Sequence, residues 1–485
     1  MLIPDLIARK RYPRLLPASL LCLPLLISCS QQPINSNNVQ QLQQTLAENY
    51  PEIKLEQPDA QQRAKQTEAL LRDPITPKSA IQLMLLNSPH LQVELARLGV
   101  ANAARLQAGM IANPTLSLSA LASDRSGPWQ WDLGLTQSLM ELLTRPVRQQ
   151  QASSEWMATQ LKVSQSLQLN IHQLQREYFA AIAAKQNLQI EEALLDAATA
   201  KQQLAESLFN AGNISELDYL AHLSSAQEQQ RALVHQQEQV LQTQAELNYL
   251  LGLDAGQNAQ LPEQLPALPD ELFNTQQLTA QAMQSRIDIQ LAKLQQQQLR
   301  QERALIRKEY GLAESRVGAA AQREGDGTTS LGPQVELTLP LFDRGQAKLA
   351  IVDAQIASAD AELVDAQLHA TRDIKKALAQ LQHTHKEQLL QAQLTAARQV
   401  ELAQREVNFM LASPFALLEL KMREIELQQE QTSALLSYWQ ARSQLELALG
   451  RSLPLSIQSD AAATPGGTHK NPTHNSEAHK GHQHD

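Results

Sequence analysis

The sequence is poor in the residues that usually interrupt regular structure. Of its 485 residues, 17 are glycine and 22 are proline, and only 4% are aromatic. Long stretches contain neither glycine nor proline, which favours long helices over a fold with many turns. A net charge of −9 and an isoelectric point near 5.8 give no basic surface for nucleic acid. The composition therefore predicts a mainly helical protein that does not bind nucleic acid.

Cysteine is almost absent as well. The two cysteines, Cys22 and Cys29, lie near the N-terminus, where basic residues precede an apolar run over 15–27. That run is too short to span a bilayer and has the flanks of a signal peptide. Once such a segment is removed, the remaining chain has no pair of thiols, which excludes a disulfide and a thiolate metal site.

The end of the apolar run, LISC, resembles a bacterial lipobox. The resemblance implies that residues 1–28 are a lipoprotein signal peptide and that Cys29 is the lipidated first residue of the mature protein. Ser30, rather than aspartate, follows the cysteine, which by the same resemblance implies sorting to the outer membrane. A plain signal peptide with an incidental cysteine is the alternative.

The sequence from residue 73 onward repeats itself. The stretch from Ser215 to Gly252 corresponds without a gap to the stretch from Ser413 to Gly450, an offset of 198 residues. A repeated unit of about 200 residues is far longer than solenoid periods, so it indicates the duplication of a whole domain. The predicted divisions are a polar, irregular arm (29–72), the two units (73–262 and 263–457) and a disordered, histidine-rich tail (458–485).

Each unit predicts the same order of elements: a moderate helix, two strands, a very long helix, a short turn and a returning helix. In the strands, large apolar and polar residues alternate, as in WQWDLGLTQ at 129–137. Glycine, serine and aspartate predict hairpin loops at 123–128 and 324–333. The four strands are predicted at 115–122, 129–137, 315–322 and 334–339.

The helices are predicted to be unusually long. The two longest, 148–211 and 346–411, are each on the order of 100 Å at 1.5 Å per residue. Ser215 and Ser413 are suited to cap the returning helices, and Gly252 and Gly450 are suited to end them in the left-handed conformation. The moderate helices are predicted at 76–112 and 276–310.

The four strands, with one apolar face each, admit two interpretations. A half-buried sheet packed on helices alternates in this way. So does a barrel strand with one face toward lipid and one toward a lumen, where Trp marks the membrane interface. Helices of this length cannot lie against a compact four-stranded sheet and must project from it. Because unpaired backbone groups are costly in a bilayer, membrane strands would have to close with strands of other copies of the chain.

This layout resembles the TolC family of outer-membrane efflux ducts. Three short segments agree with it. LPLFDRGQ at 339–346 resembles the family's strand-to-helix junction, and GNISELD at 212–218 resembles its helix-tip turn. RIDI at 286–289 resembles its Arg-Pro-Asp segment, with Ile287 in place of proline. The resemblance covers about 73–454 and is carried mainly by the duplicated layout.

The resemblance implies a fold that is mainly α with a small β part. Duplicated long-helix hairpins form a trimeric α-helical tunnel, and the four strands of each chain contribute to a shared twelve-stranded transmembrane β-barrel. The resemblance implies no enzyme and no cofactor, but a passive exit duct that accepts substrate from an inner-membrane pump through a periplasmic adaptor. The homotrimer is expected in the lipid of the cell outer membrane, lipid-anchored, with a large periplasmic part.

In such a duct the tips of the helical hairpins contact the adaptor and close the tunnel at rest. The second tip departs from the family pattern, since Met410 stands where the first has Gly212, so adaptor contact is less secure there. Glu401 and Glu406 are candidates for narrowing the tunnel entrance, and solvated helix charges are the alternative. The residues that the resemblance assigns to the tips are Gly212, Asn213, Ser215, Leu217, Ser413 and Pro414.

The C-terminal tail is rich in histidine. Imidazoles on a flexible segment bind Cu²⁺ or Zn²⁺ loosely, and such binding would connect the duct to the export of copper or other heavy metals. A solvated tail without metal is the alternative, and drugs are the alternative cargo. The histidines concerned are His469, His474, His479, His482 and His484.

A second class of function is a periplasmic coiled-coil lipoprotein that acts as a scaffold or adaptor. It would also use long helical hairpins, but it should lack four strands with one apolar face each. An enzyme is disfavoured, because the sequence has no glycine-rich phosphate loop, no nucleophile elbow and no His-Glu-x-x-His zinc motif.

Overall fold

The computed structural model describes most of the chain. The described residues are 36–47, 49–51, 53–56, 58–122, 129–254, 256–269, 273–312, 315–339, 341–391 and 396–453. These residues form eleven helices and four strands. Within this part of the chain, none of the helices combines the length and the apolarity that a membrane crossing needs.

Both units follow the predicted order of elements. The second predicted long helix corresponds to α9 and α10, and residues 392–395 between them lie outside the described part. The helices are α1 (Ser36–Ala47), α2 (Ala60–Leu70), α3 (Pro77–Asn87), α4 (Pro89–Ala108), α5 (Leu139–Asn210), α6 (Glu216–Leu251), α7 (Thr275–Ser285), α8 (Ile287–Leu312), α9 (Gln346–Gln391), α10 (Ala396–Asn408) and α11 (Pro414–Leu449). The strands are β1 (Thr115–Leu121), β2 (Gln130–Ser138), β3 (Arg316–Arg323) and β4 (Thr329–Glu336).

Helix α5 is a single helix of 72 residues, about 108 Å long at 1.5 Å per residue. It begins at Leu139, earlier than the predicted start at 148. The Ser138 hydroxyl caps it there by accepting a hydrogen bond from Glu141 N at 3.2 Å. Pro146 lies within the helix without ending it. Because β2 ends at the capping residue, the helix continues directly from the sheet.

The moderate helix of each unit is broken once. In the first unit the break is Ser88, which is extended (φ −64°, ψ 118°) because Pro89 disfavours the helical conformation at the preceding residue. In the second unit the break is Arg286, with nearly the same angles (φ −65°, ψ 125°), although Ile287 follows it. The prediction of one unbroken moderate helix in each unit is therefore wrong.

The N-terminal arm contains two helices, α1 and α2, which corrects the prediction of an irregular arm. Leu42, Leu46 and Ile53 are buried in the main core of the protein. Ser452 N, near the end of the described chain, donates to the Asn49 carbonyl oxygen at 3.1 Å. A few apolar side chains at helical spacing therefore hold this polar segment against the core.

The helices are arranged around α5. Near the sheet, the order of neighbours is α4, α5, α8 and α9, and toward the other end it is α6, α5, α11 and α9, with α10 also on α11. The outer helices are therefore α4 and α6 on one side and α9 and α10 on the other. The core between them buries Leu167, Leu174 and Tyr178 of α5, which are spaced seven and four residues apart and so lie on one side of that helix. Burial raises the pKa of Tyr178, whose hydroxyl donates to the Ile75 carbonyl oxygen at 2.8 Å.

The four strands form one antiparallel sheet in the order β1-β2-β3-β4. Strands β2 and β3 come from different units, so their pairing joins the two halves of the chain. The fourth strand was predicted at 334–339 but lies at Thr329–Glu336. Gly332 and Pro333, which suggested a loop, are part of it because β4 is an edge strand, where proline is tolerated.

Candidate functional site: the sheet faces and the helix tips

The register of the sheet places apolar residues of all four strands on one face. Leu118 pairs with Leu133, Leu133 with Ala321, and Ala321 with Leu331, so these residues form a row across the sheet. The large apolar side chains of this face range from 44% exposed (Leu133) to 80% exposed (Leu331). The rest of the described chain leaves them uncovered, so this is not a sheet half-buried against its own helices. They are Leu116, Leu118, Trp131, Leu133, Leu135, Leu331 and Val335.

The opposite face of the sheet consists mostly of small or polar residues, with the exposed Leu121 at the end of β1 as an exception. Ser119 lies opposite Asp132, and Asp132 lies opposite Gln322 on the next strand. Gly134 keeps the space for a neighbouring hydroxyl, because a Cβ at this position would lie 2.6 Å from Ser117 Oγ. The sheet therefore separates an apolar surface from a polar one, as a wall between lipid and water requires.

Both lateral edges of the chain are open. Among the described strands, β1 and β4 each pair on one side only, so their outer backbone groups face away from the sheet. The outer helices expose large apolar side chains: Val93, Val100 and Leu106 of α4, Leu217, Leu220, Val234, Leu241 and Tyr249 of α6, Ile351, Val364, Leu368, Leu389 and Leu390 of α9, and Leu402 of α10. The central helix α5 exposes Leu142, Leu143, Met157 and Leu169 as well, whereas α11, which lies between α5 and α9, exposes none along its fully described length.

The first helix tip is the turn between α5 and α6, residues 210–216. Gly212 has a left-handed backbone with φ 73°. Gly212 N donates to the Phe209 carbonyl oxygen at 2.9 Å, and Asn213 N donates to that of Leu208 at 2.8 Å. These two bonds define a Schellman motif, which satisfies carbonyl groups at the end of the helix.

The second helix tip is the turn between α10 and α11, residues 408–414. Met410 takes the left-handed conformation with φ 58°, as Gly212 does in the first tip. Leu411 N donates to the Glu406 carbonyl oxygen at 2.8 Å, which repeats the Schellman motif. The three residues at the apex are strongly exposed, and all are apolar: Phe409 (77%), Met410 (95%) and Leu411 (78%).

Both tips lead into a capped helix. The Ser215 hydroxyl accepts a hydrogen bond from Asp218 N at 3.2 Å, and the Ser413 hydroxyl accepts one from Ala416 N at 3.2 Å. Pro414 occupies the first turn of α11, where the missing N–H would have had no partner in the helix. The predicted N-caps are therefore confirmed in both units.

Two contacts bring the tips side by side. The His222 ring of α6 stacks on the Phe415 ring of α11, with centroids 4.9 Å apart and an interplanar angle of 7°. The Lys201 ammonium group of α5 forms an ion pair with the Glu419 carboxylate of α11. The residues that the resemblance assigned to the two tips are therefore brought together at the same end of the chain. Leu217, next to the first tip, is 77% exposed.

The acidic residues near the second tip have different surroundings. The Glu401 carboxylate forms ion pairs with Arg398 and Arg405 on the same helix. The hydrogen bond from Arg398, followed by the charges of both guanidinium groups, lowers the pKa of Glu401. The Glu406 side chain is exposed, and its backbone oxygen closes the turn. Glu401 is therefore a carboxylate whose charge is balanced within its own helix.

Arg286 connects three parts of the second unit, a role that its sequence motif did not reveal. Its guanidinium donates to Asp288 (3.0 Å), to Asp373 of α9 (3.4 Å) and to the Ala448 carbonyl oxygen of α11 (3.1 Å). Burial lowers the pKa of Arg286, but the bonds and charges of the two aspartates outweigh this, so the pKa is raised overall. The extended backbone at this helix break is thus held by its own side chain.

Glu191 is a second residue that the sequence analysis missed. It is 7% exposed on α5, and its carboxylate accepts hydrogen bonds from Gln229 of α6 and from Gln429 of α11, the latter at 2.8 Å. The bond to Gln429 spans 238 residues of sequence. No local pattern could have announced it.

Two groups of predicted sites lie outside the described residues. They are the lipidation site, Cys29, and the tail histidines from His469 to His484. Within the described ranges, no group of three or more His, Cys, Asp or Glu residues is arranged to hold a metal ion.

The comparisons with known proteins agree with this geometry. A family model described as outer membrane efflux protein matches residues 80–253. No curated protein matches the chain. Among solved structures, it is similar to the outer membrane protein VceC of Vibrio cholerae, with 18% identity, a TM-score of 0.61, and coverage of 77% of this chain and 96% of that one.

Two further structures show the same likeness. The MtrE outer membrane channel of Neisseria gonorrhoeae, in its open state, is 16% identical with a TM-score of 0.58, over 77% of this chain and 89% of that one. The CmeC outer membrane channel of Campylobacter jejuni is 14% identical with a TM-score of 0.60, over 80% of this chain and 85% of that one. At these identities the likeness shows the fold, and the prediction of duplicated long-helix hairpins with four strands per chain is confirmed.

Proposed function

We propose that this chain belongs to the outer membrane efflux protein family and that it is the exit duct of a tripartite efflux system. It conducts substrate passively from a periplasmic adaptor and an inner-membrane pump to the exterior. In this role the protein is a channel, and its function depends on the apolar and polar side chains that its surfaces expose. The observation that carries the proposal is the sheet, with one exposed apolar face, one polar face and two open edges.

The open edges support assembly from several copies. In a bilayer each unpaired backbone group costs several kcal/mol, so β1 of one copy must pair with β4 of another. Three copies close a twelve-stranded barrel with the apolar face toward lipid, which is the homotrimer that the family resemblance implies. The apolar side chains on the outer helices support the same seams below the membrane, where α4 and α6 of one copy meet α9 and α10 of the next.

The tips are proposed as the adaptor-contacting surface. Leu217 next to the first tip and Phe409, Met410 and Leu411 at the second are apolar and strongly exposed. Aromatic residues and methionine are enriched at protein interfaces, so Phe409 and Met410 in particular suit a partner with an apolar groove. Because the second tip keeps the Schellman geometry, its departures in sequence do not disqualify it. A role of Glu401 and Glu406 at the entrance stays a prediction.

Disulfide cross-linking tests the assembly. Gln334→Cys in β4 is combined with a cysteine at Thr115, Ser117 or Ser119 of β1, which lie on the same face of the sheet. Disulfides form when Cα atoms are about 4.4–6.8 Å apart. One of these pairs is expected to give covalent trimers in outer-membrane fractions. Gln334→Cys with Asp132→Cys is the control and should give none, because β2 has partners on both sides. Monomers with every pair would contradict the proposal.

The cargo is proposed to be copper or another heavy metal, with drugs as the alternative. The support is the histidine-rich tail, and the test is deletion of the gene followed by growth on copper, zinc, silver and common antibiotics. Selective metal sensitivity that disappears on complementation supports metal export, and drug sensitivity alone overturns it. A tail truncated after residue 465 shows whether the histidines contribute.

Membrane attachment is proposed to include a lipid on Cys29, after removal of residues 1–28. Cys29→Ser should abolish labelling with radioactive palmitate. Labelling that persists would overturn the lipidation. The alternative function, a periplasmic scaffold or adaptor, is not favoured, because it offers no use for a sheet with an uncovered apolar face.

A further inference from the structure

A cavity of about 470 Å³ lies within one chain, between α5, α9, α11 and Gln264 of the segment between α6 and α7. Six of its ten lining residues are glutamines. Its volume is in the range of small-molecule sites, about 300–1,000 Å³. The lining residues are Gln186, Gln189, Ile190, Ala193, Gln264, Gln388, Gln428, Gln431, Thr432 and Leu435.

The lining of this cavity contains no ionisable side chain, which sets it apart from three other cavities of the described chain. A charged ligand would lose water there without an opposite charge to compensate. A neutral ligand with many hydroxyl or amide groups would exchange its hydrogen bonds to water for hydrogen bonds to the glutamine amides. The other three cavities are each lined by both signs of charge: Arg286 with Asp288 and Asp373, Lys185 with Glu263, and Lys54 with Glu56.

The glutamine amides offer donors and acceptors together. Each amide has two N–H donors and one carbonyl acceptor with two lone pairs, so a set of them can match hydroxyl groups, which also donate and accept. Gln388 Oε1 is buried and has no hydrogen-bond partner among the described residues. A buried acceptor of this kind costs free energy until a donor reaches it. Rotation of the amide about its broad terminal torsion would turn this oxygen toward the cavity, where a hydroxyl or amide N–H of a ligand would supply that donor.

Apolar side chains complete the lining. Ile190 and Ala193 of α5 and Leu435 of α11 border the same cavity as the amides. The faces of a pyranose ring carry C–H groups, and its rim carries hydroxyls, so the ring suits a site with both kinds of surface. We infer that this cavity is a binding site for a neutral saccharide. The inference holds whether or not the chain is an efflux duct.

Isothermal titration calorimetry of the full-length protein tests the site. The protein is kept in a polyoxyethylene detergent, because detergents with sugar headgroups would compete. The probes are N,N′,N″-triacetylchitotriose and maltotriose. We expect binding of the acetylated trisaccharide at least, and Gln388→Leu should weaken it about tenfold or more, the effect of one lost hydrogen bond in a desolvated site.

Gln380→Leu is the matched control. Gln380 is an exposed glutamine of the same helix outside the cavity lining, so this variant should bind as the unmodified protein does. Gln428→Leu provides a second change on another wall, and circular dichroism shows whether each variant folds. No heat from either sugar overturns the inference. So does an affinity that is the same in Gln388→Leu and Gln428→Leu as in the unmodified protein.

Discussion

The two helix tips have the same backbone and different residues. In the first, glycine takes the left-handed position, and in the second, Met410 takes it. Both turns form the same pair of hydrogen bonds, and both lead to a serine cap. A left-handed conformation costs a residue with a Cβ roughly 1–2 kcal/mol. The backbone of the turn is therefore determined by the end of one helix and the start of the next. The side chain at its apex does not determine the turn and can contact a partner instead.

The surfaces of the tips differ more than their backbones. The second tip presents three consecutive apolar side chains at its apex, whereas the first presents Gly212 and Asn213 there, with Leu217 beside them. If both tips contact the same partner, they do so with different chemistry. The second tip then contributes an apolar anchor, and the first contributes mainly backbone and polar groups.

The largest expected effect is on partner binding at the second tip. Met410→Asp keeps the backbone, because aspartate tolerates the left-handed conformation, but it places a charge on the apolar apex. Loss of an anchor costs about 2 kcal/mol, or about 30-fold in affinity. We expect the variant to fail to restore growth of the deletion strain on the cargo to which that strain is sensitive. Gly212→Asp is the matched change in the polar tip and should restore growth. If both variants fail equally, the proposal that only the second tip carries an apolar anchor is wrong.

The next effect concerns the backbone of the turns. Gly212→Val should weaken the first tip by about 1–2 kcal/mol, since a β-branched residue is strained at φ 73°. Met410→Gly should change the second tip little, because the relief of strain is offset by the flexibility of glycine in the unfolded chain, about 0.5–1 kcal/mol. Hydrogen exchange of the turn amides measures both. Ala211→Val, one residue earlier at a right-handed position, is the control and should cost less than about 0.7 kcal/mol.

Removal of the serine N-caps should have a smaller effect than the changes in the turns. Ser215→Ala is expected to cost about 1 kcal/mol, because it removes the acceptor for Asp218 N. It also removes the hydrogen bond from the hydroxyl to Asp218 Oδ2 at 2.7 Å. Ser413→Ala should cost less, since Pro414 already fixes the first turn of α11. Protection of the first-turn amides in hydrogen exchange checks the order, and a larger loss in the second tip would reverse the comparison.

The smallest effect is a pH dependence confined to the second hairpin. The pKa of Glu401 is lowered from 4.5 by Arg398 and Arg405, so its contribution is present above pH 4.5 and is lost as the pH falls through the lower value of the folded state. Exchange protection of α10 should therefore decline in that acidic window. Glu401→Gln should abolish the decline. The corresponding position of the first hairpin is Gln203, which serves as an internal control without charge.

Local signals allowed much of the fold to be predicted. Serine before each returning helix and glycine after it mark the helix ends, and Ser215, Gly252, Ser413 and Gly450 act there as predicted. These positions depend on hydrogen bonds within a few residues, which a sequence pattern contains. The strands could be located because apolar and polar side chains alternate along them. This pattern indicates a strand with two different faces, whether lipid or protein covers the apolar one.

The errors arose where distant contacts decide the structure. Arg286 breaks its helix without a following proline, because its guanidinium is held by Asp373 and Ala448, which lie far along the chain. Pro333 looked like part of a loop, although an open sheet edge tolerates it in β4. The arm looked irregular because few of its residues are apolar, and the core that receives Leu42 cannot be seen locally.

At the candidate site, sequence located the tips but not their relationship. The stacking of His222 on Phe415 joins residues from different units, and the ion pair of Lys201 with Glu419 does the same. Neither pair has a periodic signature. The sequence also indicated that Met410 departs from the family pattern. Only the structure shows that the backbone at Met410 is left-handed, as it is at Gly212.

The open edges β1 and β4 have a genetic consequence. In a ring of identical chains every junction involves two different molecules, so a fault in one edge strand also affects a neighbour that carries no fault. A cell that makes damaged and intact chains together would place at least one damaged junction in most of its rings. Substitutions in these two strands should therefore be dominant over an intact copy of the gene.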